Sequence, residues 1–392
     1  MALYLTMNSN LSKRSFLKQA ALGACTFCVL GEQKIVGNVI DGLTKSIPFD
    51  EPLLLTDFKT EAHYYVQTPK GIKCLLCPNE CKIEAGKEGE CHTRINEDGI
   101  LQCYAYGNPC AIHVDPIEKK PLYHFLPGTR SLSIATAGCN LACLNCQNWE
   151  ISQTSPLKTR NFDLMPDRVS EECIKNECQS ISYTYSDPVA FYEYTLDASI
   201  LAKEKGIKNV IVSAGYINEK PLLEWCKYID AANIDLKSFS NEIYEMLNAG
   251  TLEPVLKTLK ILKDNGVWLE ITNLIVPDWT DDLEMIEEMC GWLAANGFQE
   301  YPLHFSRFNP QYKLTNLPAT PVNILNRARD LALKAGLKYV YIGNVPGTEA
   351  QNTYCPKCKQ IVVERKGFRI IATHLEQNKC TYCNSEIAGI WE

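Results

Sequence analysis

From Ser131 onward, short and nearly continuous apolar runs alternate with longer stretches whose apolar residues recur at helical spacing. The short runs predict strands at Ser131–Ala137, Ser182–Tyr185, Asn209–Ala214, Ala231–Leu236, Trp268–Val276, Leu303–Phe305 and Tyr339–Ile342. The longer stretches predict helices over Asp167–Ser180, Phe191–Lys205, Glu219–Tyr228, Glu253–Asn265, Asp281–Asn296 and Val322–Lys334. Strands and helices taking turns imply βα units on a parallel sheet, because a parallel return needs a crossover. Six to seven such units fit an α/β fold of the open or closed parallel-barrel kind. Polar residues close the predicted strands at their carboxyl ends: Ser186 and Asp187, Ser213, Asp235 and Lys237, Thr272 and Asn273, and Arg307. Parallel α/β sheets bind ligands along that edge.

The periodicity fails at both ends of the chain, which divides it into four parts. Residues 1–45 carry Ser12-Lys13-Arg14-Ser15-Phe16-Leu17-Lys18 ahead of a short apolar run from Ala20 to Leu30. This is similar to a twin-arginine export signal with Lys13 in place of the first arginine, and Leu22-Gly23-Ala24-Cys25 is similar to a lipoprotein cleavage box. The alternative is a poorly ordered amphipathic tail. The run falls well short of the ~20 residues of a membrane-spanning helix, so no integral span is expected. Residues 46–125 begin with Pro48, Pro52 and Pro69 in an aperiodic linker and continue as a cysteine-rich module. The barrel occupies 126–350, and a second cysteine-rich module occupies 351–392.

Composition narrows the chemistry. The chain has 392 residues, of which 46% are hydrophobic and 22% charged, so it can build a large core. Its net charge of −7 leaves no overall basic footprint for nucleic acid, although a local patch is compatible with that total. Nineteen cysteines are many for this length. A disulfide scaffold compensates for a missing core, which this chain does not lack, and its cysteines cluster at metal-ligand spacings.

The central cluster is Ala137-Gly138-Cys139-Asn140-Leu141-Ala142-Cys143-Leu144-Asn145-Cys146-Gln147-Asn148, directly after the first predicted strand. Three thiolates on one loop can hold three irons of a 4Fe–4S cubane and leave the fourth without a protein ligand. An open position is what allows a metal centre to do chemistry. The amino and carboxylate groups of S-adenosylmethionine can chelate that iron, and one electron then breaks the sulfonium bond to give a 5′-deoxyadenosyl radical. The competing reading of Cys139, Cys143 and Cys146 is a zinc knuckle short of one ligand. No Ser-His-Asp arrangement and no phosphate-cradling glycine loop rivals this motif.

The segment resembles the radical S-adenosylmethionine superfamily, in its branch akin to glycyl-radical activases such as pyruvate formate-lyase activating enzymes. More closely, the chain is similar to the radical enzymes of the AmmeMemoRadiSam system, encoded beside Memo-like and AMMECR-type proteins. The similarity runs through Cys74-Leu75-Leu76-Cys77-Pro78, Asp115-Pro116-Ile117-Glu118-Lys119-Lys120-Pro121-Leu122, the cysteine loop and Asn233-Ile234-Asp235-Leu236-Lys237. It continues through His304-Phe305-Ser306-Arg307-Phe308, Gly343-Asn344-Val345-Pro346-Gly347 and the terminal cysteine pairs. The resemblance implies a partial parallel (β/α)6-type radical barrel with small metal modules at both ends. It also implies a low-potential electron donor, hydrogen abstraction from a substrate that is a protein or an RNA, and Memo-like or AMMECR-type partners. A barrel that has lost its chemistry, serving as a metal-binding adaptor, and an electron-transfer protein are the alternatives.

Two departures from the superfamily pattern are visible. Asn145 stands where an aromatic residue packs on the adenine. Tyr185-Ser186-Asp187-Pro188 stands where activases carry Gly-Gly-Glu against the methionine amino group. A shorter carboxylate can still accept from an ammonium, so Asp187 takes that role, with an Asp-Pro turn as the plain alternative. Ser213, Asp235 and Asn273 are further cofactor contacts by position. Asp235 and Lys237 alternate and so share a side, either facing the lumen or forming an internal ion pair. Lys237, His304 and Arg307 are the catalytic candidates, although a histidine near a strand end is more often a satisfied core residue.

The flanking modules each offer four thiols. Cys74, Cys77, Cys81 and Cys91 suit either a closed zinc site or an auxiliary cluster, with Cys103 and Cys110 near enough to add or substitute. Cys355-x2-Cys358 and Cys380-x2-Cys383 flank a predicted β ribbon at Ile361–Ile371, a zinc-ribbon or rubredoxin-like pattern for one tetrahedral zinc or iron. A cytoplasmic location follows from the need for S-adenosylmethionine and low-potential electrons. Export, with lipid anchoring at Cys25, is the alternative.

Overall fold

The computed structural model of the chain describes residues 58–392, which fall within one compact unit. The export-like segment, Cys25 and the linker prolines Pro48 and Pro52 lie outside the described residues. Among the described residues, no helix is long and apolar enough to cross a membrane.

The amino-terminal module is built from small antiparallel sheets. Strands β1 (Thr60–Glu61), β5 (Arg94–Glu97) and β6 (Ile100–Cys103) form one, in the order β1-β6-β5. Strands β2 (Tyr65–Thr68), β3 (Gly71–Cys74) and β4 (Lys82–Ile83) form the other. Strands this short bury little, and a buried ion pair ties them to the rest of the fold. Arg94 Nη2 lies 2.8 and 2.7 Å from the two carboxylate oxygens of Glu193, whose Oε1 also accepts from the His63 amide at 2.7 Å.

The centre is one eight-stranded sheet whose strands neighbour each other in chain order. It comprises β7 (Ala111–Pro116), β8 (Arg130–Ala135), β9 (Ser180–Tyr183), β10 (Lys208–Ser213), β11 (Ala231–Asp235), β12 (Trp268–Ile275), β13 (Leu303–Arg307) and β14 (Val340–Gly343). Strands β8 to β14 are parallel, and β7 runs antiparallel on the edge. The parallel strands are the seven that the apolar runs predict. The crossover helices are α1 (Pro166–Lys175), α2 (Tyr192–Glu204), α3 (Glu219–Trp225), α4 (Leu252–Asp264), α5 (Leu283–Ala295) and α6 (Val322–Lys334). Their starts follow local chemistry. Pro166 occupies the first turn of α1, where its missing N–H costs nothing, and the Asp282 side chain caps α5 by accepting from the Glu284 amide. A sheet wound in one direction with its helices interleaved is the barrel kind of α/β fold, here left open.

The amino-terminal end of the barrel is plugged. Ile117, Leu122, Phe125 and Leu126, from the segment between β7 and β8, pack on Val210 and Ala231. Below them the carboxyl-terminal module docks, with strands β15 (Thr353–Tyr354), β16 (Ile361–Lys366), β17 (Arg369–Thr373), β18 (Leu375–Glu376) and β19 (Lys379–Cys380). Its core residues Cys355, Val362, Cys380 and Ile387 pack against Tyr123, Tyr339 and Tyr341 of the barrel.

Candidate functional site

The cysteine loop leaves β8 at its carboxyl end and turns at Gly138, whose φ is +103°. A Cβ there would overlap the Thr93 side chain and sit 2.5 Å from the Cys91 carbonyl oxygen, so only glycine admits so close an approach of the amino-terminal module. The rest of the loop is pinned from several sides. Gly138 donates to the Ile151 carbonyl at 2.8 Å, and the Asn140 side chain donates to Tyr216 O at 2.6 Å. The amides of Ala142 and Leu144 donate to Asn248 O and Leu247 O at 3.1 and 2.9 Å. Asn148 donates from Nδ2 to Tyr185 O at 2.7 Å. A loop clamped at this density holds its side chains in place before any ligand binds.

Cys143 is buried, and Cys139 and Cys146 are half-buried. Packing around its sulfur pushes the Cys139 thiol well above the usual thiol range, so a thiolate there needs positive charge nearby. Among the described residues, the Cys355-Cys358-Cys380-Cys383 quartet is the one group of ligand atoms gathered mutually within 4.8 Å. The three loop sulfurs therefore do not converge on a point, as a single ion requires. Wider separation suits a polynuclear centre, in which each thiolate binds a different metal atom. The residues present fit an iron–sulfur cubane.

Asp187 follows β9 and faces the loop. Its Oδ1 accepts from the Val189 amide and Ser213 Oγ, each at 3.0 Å, and its Oδ2 accepts from the Ala214 amide at 2.8 Å. Burial pushes this carboxyl above its usual range, against the pull of these donors. Three donors against about four lone-pair positions leave room for one more, so the carboxylate serves as a turn cap and retains capacity for a ligand. Ser213 thus acts on Asp187. Lys237 Nζ lies 2.9 Å from Asp235 Oδ2, and the two predicted residues pair with each other. Burial works against the Lys237 ammonium, but Asp235 and the Cys143 sulfur outweigh it and hold its pKa well above the ordinary lysine value.

Asn145 is buried at Oδ1 with no partner, as is Asn273 Oδ1. Asn273 Nδ2 donates to Leu236 O at 2.8 Å and braces β12 on β11. On β12 it alternates with Glu270 and Thr272, so it sits on the other face of the sheet. Arg307 ends β13 with Nε donating to Thr320 O at 2.9 Å. His304 stands at the amino-terminal end of β13, the end opposite the cysteine loop. Its Nε2 lies 2.6 Å from Glu270 Oε2, and Glu270 also accepts from the amides of Tyr123 and His124 at 2.9 and 2.7 Å. The structure brings Asp187, Ser213, Asp235 and Lys237 to the cysteine loop and leaves His304 in the barrel floor.

One buried group was not foreseen. Asp115 receives Lys120 Nζ at 2.6 Å, Lys119 Nζ and Ser133 Oγ at 2.9 Å each, and the Tyr185 hydroxyl. Lys120 Nζ also lies 4.5 Å from the Tyr185 ring centre, and burial lowers its pKa to about 8 while Asp115 works against that. The motif Asp115-Pro116-Ile117-Glu118-Lys119-Lys120 carried this signal, but nothing in it points to Tyr185, whose left-handed φ of +65° turns it toward Asp115.

The two cysteine modules differ. In the carboxyl-terminal one, Cys355 and Cys383 sulfurs are 3.6 Å apart and Cys358 and Cys380 sulfurs 3.7 Å apart. A tetrahedron of thiolates at zinc–sulfur distance has edges of about 3.8 Å, so this quartet is shaped for one metal ion. In the amino-terminal one, Cys74, Cys77, Cys81 and Cys91 line a common pocket without closing to that spacing. Cys103 is fully buried on β6, and neither it nor Cys110 lines that pocket.

Residues 133–293 match the model of the radical SAM superfamily. An uncharacterized protein of Methanocaldococcus jannaschii is 44% identical over 330 residues, covering 83% of this chain and 98% of that protein. The pyruvate formate-lyase 1-activating enzyme of Escherichia coli is 26% identical over 229 residues, 55% of this chain and 93% of that enzyme. Among solved structures, a radical SAM methyltransferase from Sphaerobacter thermophilus aligns with a TM-score of 0.44 at 13% identity, over 56% of this chain and 67% of that one.

Proposed function

The chain belongs to the radical SAM superfamily, whose members carry out radical chemistry dependent on S-adenosylmethionine, and from that premise we propose a specific arrangement of the site. Cys139, Cys143 and Cys146 hold three irons of a 4Fe–4S cluster and leave one iron for the amino and carboxylate groups of S-adenosylmethionine. When bound, this pair supplies one-electron cleavage of the sulfonium bond, yielding methionine and a 5′-deoxyadenosyl radical that abstracts hydrogen from substrate. The observation that carries the reading is the clamped, three-thiol loop at the carboxyl edge of a parallel barrel, with Asp187 and Lys237 beside it.

The chain's own residues do the rest. Asp187 accepts from the methionine ammonium with its remaining lone pair, held in position by Ser213, Val189 and Ala214. Lys237 offsets the negative charge that thiolates bring to a buried loop. The unpartnered Asn145 Oδ1 accepts from the nucleoside in place of the stacking that an aromatic residue would give. Arg307 meets the substrate at the same edge. The reductant is a low-potential one-electron donor. The substrate is a macromolecule, a protein or an RNA, of the kind for which a Memo-like or AMMECR-type protein would be a partner. The E. coli relative, by its name, activates pyruvate formate-lyase, and a glycyl-radical activase is the nearest reaction type. The Cys355 quartet binds one zinc or iron as a structural element, and the enzyme works in the cytoplasm.

Anaerobically reconstituted protein, given dithionite and S-adenosylmethionine, is expected to release 5′-deoxyadenosine. Absence of product above a Cys143→Ala control would sink the enzyme reading. A cluster whose spectrum ignores added S-adenosylmethionine would favour an electron-transfer protein instead.

A further inference from the structure

The four amino-terminal cysteines surround a pocket that the radical site does not use. Cys74 and Cys77 are buried, Cys81 and Cys91 are half-buried, and all four line it with Arg94, Asn140, Val189 and Ala190. Three of these neighbours adjoin the radical site. Asn140 directly follows Cys139, and its carbonyl accepts from Asn79 Nδ2 at 2.7 Å. Val189 and Ala190 follow Asp187, and the Ala190 carbonyl accepts from Thr93 Oγ1 at 2.7 Å. On the other side, the Cys91 carbonyl fills the space that a side chain on Gly138 would need.

We infer that Cys74, Cys77, Cys81 and Cys91 bind a second, polynuclear iron–sulfur cluster, set against the loop of the first. Two independent observations separate this from a zinc site. The first is spacing. The carboxyl-terminal quartet shows how this fold gathers four sulfurs for one ion, whereas no three of the amino-terminal sulfurs lie mutually within 4.8 Å. Thiolates bound to different irons of one cluster require that spread. The second is Arg94. It is 1% exposed, its Nη2 atom is committed to Glu193, and its Nε–H has no partner while the side chain lines the pocket. A buried donor left unpaired is costly. Bridging sulfides, which zinc lacks, supply acceptors inside such a pocket, and hydrogen bonds to sulfur are a lever on cluster potential. Leu76, Ile83, Val189 and Ala190 keep water away. All four cysteines serve as ligands, so this cluster has no open iron.

The decisive protein is the full chain with Cys139→Ala, Cys143→Ala and Cys146→Ala together, produced anaerobically and assayed for iron, zinc and acid-labile sulfide. Acid-labile sulfide with at least as much iron is expected to remain, with a paramagnetic signal on dithionite reduction that S-adenosylmethionine leaves unchanged. Adding Cys77→Ser and Cys91→Ser should remove the sulfide. Absence of acid-labile sulfide from this variant would overturn the inference; a zinc or a mononuclear iron at Cys355 contributes no sulfide and cannot mimic the result. Should the triple variant not fold, Cys77→Ser with Cys91→Ser in the otherwise native chain should lower sulfide by about a third to a half while the S-adenosylmethionine-sensitive signal persists. Unchanged sulfide there refutes the second cluster. The inference does not depend on the radical reading: if that alone fails, the sulfide of the triple variant survives and the native chain shows no response to S-adenosylmethionine.

Discussion

The two cysteine modules bring four thiols each to opposite ends of one barrel, and they are held there in opposite ways. The amino-terminal module meets the carboxyl edge of the sheet through Gly138, Asn140 and the Arg94–Glu193 pair, all within reach of the cysteine loop. The carboxyl-terminal module meets the other end through packed aromatic rings and a buried polar chain. In that chain His124 Nε2 approaches Tyr341 Oη at 2.5 Å, Tyr341 Oη lies 2.8 Å from Thr353 Oγ1, and Arg365 donates to Thr353 at 2.7 Å and to Tyr123 O at 2.7 Å. Four cysteines in a short module are therefore not a function in themselves. What they are packed against differs: the amino-terminal set borders the cysteine loop and the carboxyl-terminal set the barrel floor.

Three measurements can break or sharpen that contrast. The largest effect is expected at the amino-terminal junction. Glu193→Ala strands the buried Arg94 and should destabilise the fold by about 3–5 kcal/mol, read as a lower denaturant midpoint. Arg94→Met with Glu193→Leu should recover most of it, and no recovery would mean that the pair is more than a fastening. At the other junction, burial lowers the pKa of His124 from the ordinary 6.5 to about 4. The folded state therefore favours neutral His124. This contribution is complete above pH 6.5 and is lost as the pH falls toward 4, amounting to about 3 kcal/mol. Thermal melting between pH 7 and 4.5 should show the loss, and His124→Gln should flatten it; equal slopes for both proteins would contradict the assignment. At Gly138 the reaction is expected to be more sensitive than the fold: Gly138→Ala costs about 1–2 kcal/mol for a side chain at positive φ, to which the overlap with Thr93 and the Cys91 carbonyl adds. It should nonetheless abolish 5′-deoxyadenosine formation while leaving metal content at Cys355 unchanged.

Much of this architecture is legible in the sequence. The seven parallel strands coincide with the apolar runs because strands covered on both faces must be apolar almost throughout, as in Asn209-Val210-Ile211-Val212. Edge strand β7 escapes that logic, since Ala111-Ile112-His113-Val114-Asp115-Pro116 has only one neighbour and carries polar residues into a buried network. The cysteine loop, Asp187, and the pairing of Asp235 with Lys237 were readable from spacing and strand position. The position of His304 in the floor was not. Its partner Glu270 lies 34 residues earlier, and in Trp268-Leu269-Glu270-Ile271 nothing marks the glutamate as the acceptor for two amides of a distant plug. Long-range polar pairing leaves no local periodicity.

The floor has one more consequence, and it concerns time. The plug is sealed by hydrogen bonds between the His124–Leu126 segment and Ile390, and by His124 against Ala388, 264 residues apart in sequence. A ribosome adding roughly 5–20 residues per second needs on the order of 10–50 s to cover that interval. The βα units emerge one after another during it, and once Glu270 and His304 have joined His124 they stand over an unsealed opening until residues 388–390 arrive. The plug thus precedes the barrel in the chain while its seal follows it, and a chain interrupted before the ribbon would carry a buried acid–histidine network open to water.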